Sequence, residues 1–201
     1  MYQRFFKRFL DLLGAILLSP IALPVIGVAA LLVRATSPGP AFFKQTRVGK
    51  DCRLFTIYKL RSMRTETHRN GVPLTDMERM TRVGNFLRKL SIDELPQLLN
   101  ILNGSMSFIG PRPLLPQYIP RYNARQIRRH EARPGITGWA QVNGRNAVTW
   151  PARLEMDVYY VESLSPALDL RVIGRTFAYV FGSKGVNRSG GETMPEFMGE
   201  E

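Results

Sequence analysis

The longest apolar stretch runs from Leu12 to Val33 without a charged residue, between Arg4, Lys7, Arg8 and Asp11 on one side and Arg34 on the other. As a straight helix it reaches roughly 33 Å, about the thickness of a hydrocarbon core, which predicts a membrane element. The run is too long for a cleaved signal peptide, and no small-x-small cleavage site follows it. Two features argue against a plain crossing. Ser19-Pro20, with Pro24 one turn later, removes backbone donors in mid-run and predicts a break or sharp kink. Cations also flank both ends, with Lys44, Arg47 and Lys50 following Arg34, and both clusters favour the cytoplasmic side. A helix–break–helix hairpin entering and leaving one leaflet answers both features, with Ser19 available to a backbone group freed at the break. On these residues alone a kinked span is the alternative.

Beyond the turn cluster Thr36-Ser-Pro-Gly-Pro40, the segments Ala41–Thr46 and Arg53–Leu60 read as short strands joined by Val48-Gly-Lys-Asp-Cys52, a β-hairpin. The polar run from Arg61 to Asp76 reads as loop with some helix, and Asp76–Leu90 and Ser91–Leu102 as helices. In the second, Leu95, Leu98, Leu99 and Leu102 share a face, and Asn103-Gly104 is the stop signal. Pro111, Pro113 and Pro116 make 110–116 a rigid loop. Gln117–Glu131 carries a basic face of Arg121, Arg125, Arg128 and Arg129, and Arg133–Asn146 is too rich in glycine for a regular helix. Trp150–Ser163 and Ala167–Phe181 are predicted helices. The latter sets Leu168, Val172, Phe177 and Phe181 beside Arg171 and Arg175, a pattern shared by a helix in a membrane interface and a core-facing helix with snorkelling arginines. A polar, glycine-rich tail follows Ser183. The pattern is α+β and mainly helical, without an internal repeat or a second soluble domain.

Charge changes this picture: 28 Lys and Arg against 16 Asp and Glu give a formal +12, which favours phosphate-rich partners such as nucleotides, nucleic acid or anionic headgroups. The basic residues lack regularly interleaved aromatics, which argues against nucleic acid. With Cys52 the single cysteine, no intramolecular disulfide forms, as suits a reducing compartment. His68 and His130 lack ligand-like spacing, so any metal is expected to be a hard ion held by oxygen.

Ser91-Ile-Asp93-Glu94 fits a capping box, in which Ser91 caps the helix and both acids merely complement its dipole. Against that reading, Pro96 falls in the second turn and distorts it, and a distorted turn with two adjacent carboxylates suits Mg2+ completed by substrate phosphate oxygens. Arg88, Arg112 and Arg145 lie beside loops, Lys59 ends a strand-like run, and glycines at 135, 138 and 144 admit an anion close to backbone amides. Each arginine alone reads as a surface charge; together with the carboxylate pair and a membrane anchor they suggest phosphoryl transfer.

The stretches Phe42–Gly49, Phe55–Met63, Arg82–Asn100, Asn103–Pro113 and Arg133–Asn146 together resemble the bacterial sugar transferase family, monotopic phosphoglycosyl transferases of the EC 2.7.8 type that begin glycoconjugate (polysaccharide) assembly on polyprenyl phosphate. The resemblance covers nearly the whole chain and implies a re-entrant hairpin broken at Ser19-Pro20 over 1–35, with interfacial amphipathic helices. It implies a catalytic domain over 36–201 at the cytoplasmic face of the bacterial inner membrane. It implies that Asp93 attacks the β-phosphorus of a UDP-sugar, releasing UMP and forming an aspartyl phosphosugar that undecaprenyl phosphate then accepts. Asp93 would also ligate Mg2+, Glu94 would serve as ligand or base, and Arg88, Arg112, Arg145 and Lys59 would contact phosphates. The tail Ser183–Gly199 is similar to that of members acting on UDP-di-N-acetylbacillosamine, which points to that or a related N-acetylated sugar. Expected partners are the UDP-sugar, undecaprenyl phosphate and membrane phospholipid, with a homodimer allowed. The competing expectations are a basic membrane adaptor without catalysis and a UDP-sugar pyrophosphatase.

Overall fold

The computed structural model describes residues 2–144, 148–181 and 196–199. A π-helical turn, Tyr2–Phe6, leads into α1 (Lys7–Thr36), a single 30-residue helix with Pro20 and Pro24 inside it. Ser19-Pro20 lies inside this one helical element, and no second helix begins between it and Thr36. The proline removes one donor, while the Ser19 hydroxyl donates to the Ala15 carbonyl one turn back at 2.6 Å.

One face of α1 is buried: Lys7, Asp11, Ala15, Ala22, Ala29 and Val33. These positions recur every four or seven residues, a helical stripe whose alanines let neighbouring backbone approach closely. Ala15 and Ala22 pack with Ile57, Leu98, Ile101 and Met106, and Ala29 and Val33 with Leu60 and Leu87. The polar end of the stripe is held by charge. Lys7 meets Asp169 at 2.7 Å, Asp11 accepts from the Ser107 hydroxyl and the Phe108 amide, and the Arg8 guanidinium caps the carbonyls of Ile101 and Leu102. The opposite face, including Phe9, Leu13, Leu17, Ile21, Val28 and Leu31, is exposed. The helix is thus a spine for the rest of the chain along nearly its full length, with an apolar outer surface.

The hairpin forms as expected: β1 (Phe42–Val48) and β2 (Leu54–Leu60) pair antiparallel, with Phe43 opposite Lys59. A second, very short hairpin, β3 (His68–Arg69) and β4 (Val72–Pro73), lies in the run read as loop and helix. The single helix expected over Asp76–Leu90 is two, α2 (Asp76–Arg79) and α3 (Arg82–Lys89). Each has its own cap, a Thr75–Glu78 capping box and the Thr81 hydroxyl accepting from the Gly84 amide, so the chain restarts at Thr81. The next segment is a 3-10 turn, Ile92–Gln97, before α4 (Leu98–Leu102), as Pro96 requires.

Ser107–Ile109 (β5) and Gly135–Thr137 (β6) form a parallel pair that periodicity did not signal, because each strand is only three residues long. The basic run over 117–131 folds as two 3-10 turns, Pro116–Arg121 and Gln126–Glu131, and Arg129 is buried, unlike the other arginines of the expected basic face. After α5 (Trp139–Val142) come α6 (Trp150–Glu162) and α7 (Pro166–Phe181). α7 is core-facing on one side, where Leu168 and Val172 pack on Ile109, Val142 and Tyr160, while Leu170, Ile173 and Phe177 are exposed.

At Gly84 a methyl group would collide with the Ser62 carbonyl, whereas at Gly27 on α1 it would meet no atom within 4 Å. Gly84→Ala is expected to lower the thermal unfolding midpoint by several degrees, since overpacking costs about 1–3 kcal/mol. Gly27→Ala should leave it unchanged or slightly higher, as a scanning melt of the purified protein will read.

Candidate active site

The two acids of the 92–97 turn take different environments. Ser91, just before them, adopts a left-handed conformation (φ 56°) and makes no capping hydrogen bond with its side chain. The capping-box reading therefore fails: Glu94 does not reach back to Ser91 but crosses to β2. There the Lys59 ammonium donates to Glu94 Oε1 at 2.5 Å, and the Arg112 guanidinium stands 3.6 Å from the same oxygen. Burial raises the Glu94 pKa, but Lys59, Arg112 and a hydrogen bond from Gln97 outweigh it, so the carboxyl is held below the usual range.

Asp93 is buried, at 7% exposure, and among the described residues nothing donates a hydrogen bond to it. Burial, then the neighbouring Glu94 charge, push its pKa up, while Lys59, Arg88 and Arg112 restrain the rise. Arg88, on the last turn of α3, is oriented by a 2.9 Å hydrogen bond from its Nε to the Ser62 hydroxyl. Lys59 is pulled down by burial and by Arg112, against the attraction of Glu94. The structure brings together Asp93, Glu94, Lys59, Arg88 and Arg112. Arg145 lies outside the described residues.

Arg112 is carried by the triple-proline loop, whose carbonyls are fixed almost one by one. The Ile109 carbonyl accepts from the Tyr160 hydroxyl, Pro111 from the Gly135 amide, Arg112 from Arg129 at 2.7 Å, Pro113 from Arg47 at 3.3 Å and Leu114 from the Val48 amide. A methyl at Gly135 would strike the backbone of Ile109 and Gly110, so only glycine permits that approach. Arg129 is itself held by Asp157 of α6, donating Nε and a terminal nitrogen to one carboxylate oxygen at 3.1 and 2.7 Å, with both side chains at most 2% exposed. In the sequence Arg129 belongs to a basic face and Asp157 carries no signal; nothing in their 28-residue separation marks them as partners.

In the donor set for a metal, the oxygens of Asp93 and Glu94 suit a hard divalent ion. No group of three or more His, Cys, Asp or Glu converges among the described residues, so phosphate oxygens and water would complete the shell, as Mg2+ prefers. Adjacent carboxylates, one neutralised and one not, facing several cations, fit the handling of a phosphorylated substrate.

Comparison with known proteins agrees with this chemistry. The family described as bacterial sugar transferase matches residues 2–183. The chain is 47% identical over 193 residues to the uncharacterized sugar transferase EpsL of Bacillus subtilis, covering 96% of each. It is 41% identical to the UDP-N-acetylgalactosamine-undecaprenyl-phosphate N-acetylgalactosaminephosphotransferase of Aeromonas hydrophila, over 86% of this chain but 43% of that one. It is 42% identical to the UDP-glucose:undecaprenyl-phosphate glucose-1-phosphate transferase of Caulobacter vibrioides, over 85% and 67%.

Removing one partner of a buried ion pair costs about 3–5 kcal/mol. Asp157→Asn, which leaves Arg129 buried with a neutral neighbour, is therefore expected to lower the unfolding midpoint by about 10 °C. A melt at neutral pH measures it.

Proposed function

The chain belongs to the bacterial sugar transferase family, and from that membership we propose that it is a membrane enzyme moving a sugar 1-phosphate from a UDP-sugar to undecaprenyl phosphate. The observation that carries the reading is the asymmetry of the carboxylate pair. Glu94 is paired with Lys59 and Arg112, while Asp93 is partly desolvated and accepts no hydrogen bond among the described residues, so its lone pairs are available to a phosphorus centre.

In this reading an Asp93 oxygen attacks the β-phosphorus of the UDP-sugar. The bond from that phosphorus to the bridging oxygen breaks and UMP leaves, its phosphate keeping the electron pair. The resulting aspartyl phosphosugar is attacked at the same phosphorus by an oxygen of undecaprenyl phosphate, the Asp93 carboxylate departs, and the polyprenyl diphosphosugar is formed. The attack uses the carboxylate form of Asp93, and the lipid phosphate is largely ionised near pH 7, so neither displacement depends on a strong base. The obstacle is anion approaching anion, which Lys59, Arg88, Arg112 and Arg145 offset by contacting phosphate oxygens. Asp93 and Glu94 would hold Mg2+, which when bound supplies further positive charge against the diphosphate.

The lie of α1 supports a re-entrant placement. A helix packed against the polar body from Lys7 to Val33 cannot leave it to cross a bilayer, yet its outer face is apolar. Residues 1–35 would dip into one leaflet, with residues 36–201, α7 included, at the cytoplasmic face of the bacterial inner membrane. The site would then stand at the level of the lipid phosphate, open to soluble UDP-sugar. The likeness of the tail over 183–199 supports UDP-di-N-acetylbacillosamine or a related N-acetylated sugar; residues 196–199 of that tail are described.

The purified protein, incubated with Mg2+ and candidate UDP-sugars in the absence of lipid, is expected to gain the mass of one phosphosugar, and Asp93→Asn to gain none. An undiminished adduct in Asp93→Asn, no adduct with any sugar, or steady hydrolysis of UDP-sugar without lipid would each overturn the reading. The acid limb of adduct formation carries a second expectation. Arg88 lowers the Asp93 pKa, so its removal raises that pKa and leaves less carboxylate at any given pH. Arg88→Gln should shift the limb toward higher pH, as a rate–pH profile will read.

A further inference from the structure

The tail beyond Ser183 reads as polar and glycine-rich, yet its described part, 196–199, is fastened to the body. Phe197 is 1% exposed and shares a buried cluster with Leu114, Tyr118 and Leu154. Three rings surround it at nearly equal range between centroids: Trp150 at 5.5 Å, Tyr122 stacked at 5.6 Å and Tyr118 edge-on at 5.7 Å. Arg121 closes this socket, donating to the Phe197 carbonyl and meeting Glu196 at 2.8 Å, and the Gln117 amide donates to the same carboxylate oxygen at 2.6 Å. An aromatic ring enclosed on three sides, with its backbone and its neighbour both bonded, is a specific seat for this segment.

The socket stands where two supports of Arg112 meet. Leu114 is two residues beyond Arg112 across Pro113, and its carbonyl accepts from the Val48 amide. Tyr122, stacked on Phe197, has the Arg129 guanidinium 5.9 Å from its ring centroid, and Arg129 donates to the Arg112 carbonyl at 2.7 Å. Phe197 therefore backs Arg112 twice, once through the loop itself and once through Tyr122. Such backing matters because the Arg112 side chain is 40% exposed, and its one ion pair among the described residues, with Glu94, is 3.6 Å long. With so loose a grip on its head, the guanidinium is aimed chiefly by the backbone that carries it. Emptying the socket leaves a void into which neighbours relax, so Leu114 and Tyr122 would shift and the loop with them.

We infer that the docked segment 196–199 is a strap that positions Arg112 for the substrate phosphate, with Phe197 as its anchor and Arg121 as its clasp. Phe197 touches no reacting group; it is a positioning residue and acts through Arg112. The catalytic half of this inference rests on the reading of the site as a UDP-sugar transferase, in which Arg112 contacts phosphate. The holding of the loop by the tail stands on the contacts alone.

The test places Phe197→Ala in the full-length chain with and without Arg112→Gln, and measures kcat/KM for phosphosugar adduct formation. With Arg112 present, Phe197→Ala is expected to lower it about tenfold, as misplacement of a phosphate-binding group does. In the Arg112→Gln background the same change should stay within about twofold, because the group it positions is gone. Hydrogen exchange supplies a reading independent of activity. The Val48 and Gly135 amides, bonded to the Leu114 and Pro111 carbonyls, should exchange about tenfold faster in Phe197→Ala, while the Gly84 amide, bonded to Thr81, keeps its wild-type rate. Equal losses in the two backgrounds, the mark of a merely structural role, overturn the inference, and so does unchanged exchange at Val48 and Gly135. Should Phe197→Ala fail to fold, Phe197→Leu, which refills much of the socket, is read in the same way. A loss of about threefold is then expected with Arg112 present and none in the Arg112→Gln background, and no loss in either, or the same loss in both, overturns the strap. A chain that forms no adduct with any sugar sinks the transferase reading alone, and the exchange rates then decide whether the tail holds the loop.

Discussion

Two carboxylates on consecutive residues cannot both be taken out of water unless cations are brought to them, and the architecture of this chain follows from that requirement. Glu94 receives Lys59 directly and Arg112 at slightly longer range. Asp93 is left with the field of those same cations and of Arg88, and with no hydrogen bond among the described residues. The pair is thereby divided by environment: one carboxylate faces an ammonium and a guanidinium directly, and the other feels cations without a hydrogen bond among the described residues. Adjacent acids of nearly the same intrinsic pKa acquire different chemical characters through what stands opposite them.

Placing those cations occupies much of the fold. Lys59 is delivered by the end of β2, where the hairpin register puts it opposite Phe43. Arg112 is delivered by a loop made stiff by prolines and then fixed through its carbonyls by Tyr160, Gly135, Arg129, Arg47 and Val48. Behind that loop Arg129 and Asp157 join the loop to α6 through a buried ion pair, so α6 bears on the position of Arg112. The spine α1 closes the arrangement from below. Its alanine stripe packs on α4 and on the hairpin, and Lys7, Arg8 and Asp11 tie its start to α7, α4 and β5. An apolar outer surface and a charged site thus belong to one packed unit.

What could be read from the residues divides along the range of the interactions. The membrane element, the hairpin and the helices α6 and α7 rest on local periodicity, and their expected bounds fall within a few residues of the observed ones. Asp93, Glu94, Lys59, Arg88 and Arg112 came forward as residue types beside loops, and the structure assembles them. Ser91 misled because a capping box is a sequence pattern, whereas the cap depends on backbone angles, and Ser91 is left-handed. Ser19-Pro20 and Pro24 lie within one helical element, whose buried stripe packs on the rest of the chain on both sides of the prolines. β5 and β6 are too short for alternation to register. Arg129 with Asp157, and Arg47 with the 112–114 loop, depend on contacts between distant segments that no spacing announces.

The central claim, that Lys59 and Glu94 act as one charge-compensated unit which frees Asp93, is tested most directly by a double-mutant cycle. Unfolding midpoints at pH 7 would be measured for the wild type, Lys59→Met, Glu94→Gln and the combined variant. If the pair is a unit, each single change leaves a buried charge unmatched, and the combined variant loses less stability than the sum of the two, by about 1–3 kcal/mol. Losses that simply add would contradict the account, because the two groups would then be independent and Asp93 would owe nothing to their pairing.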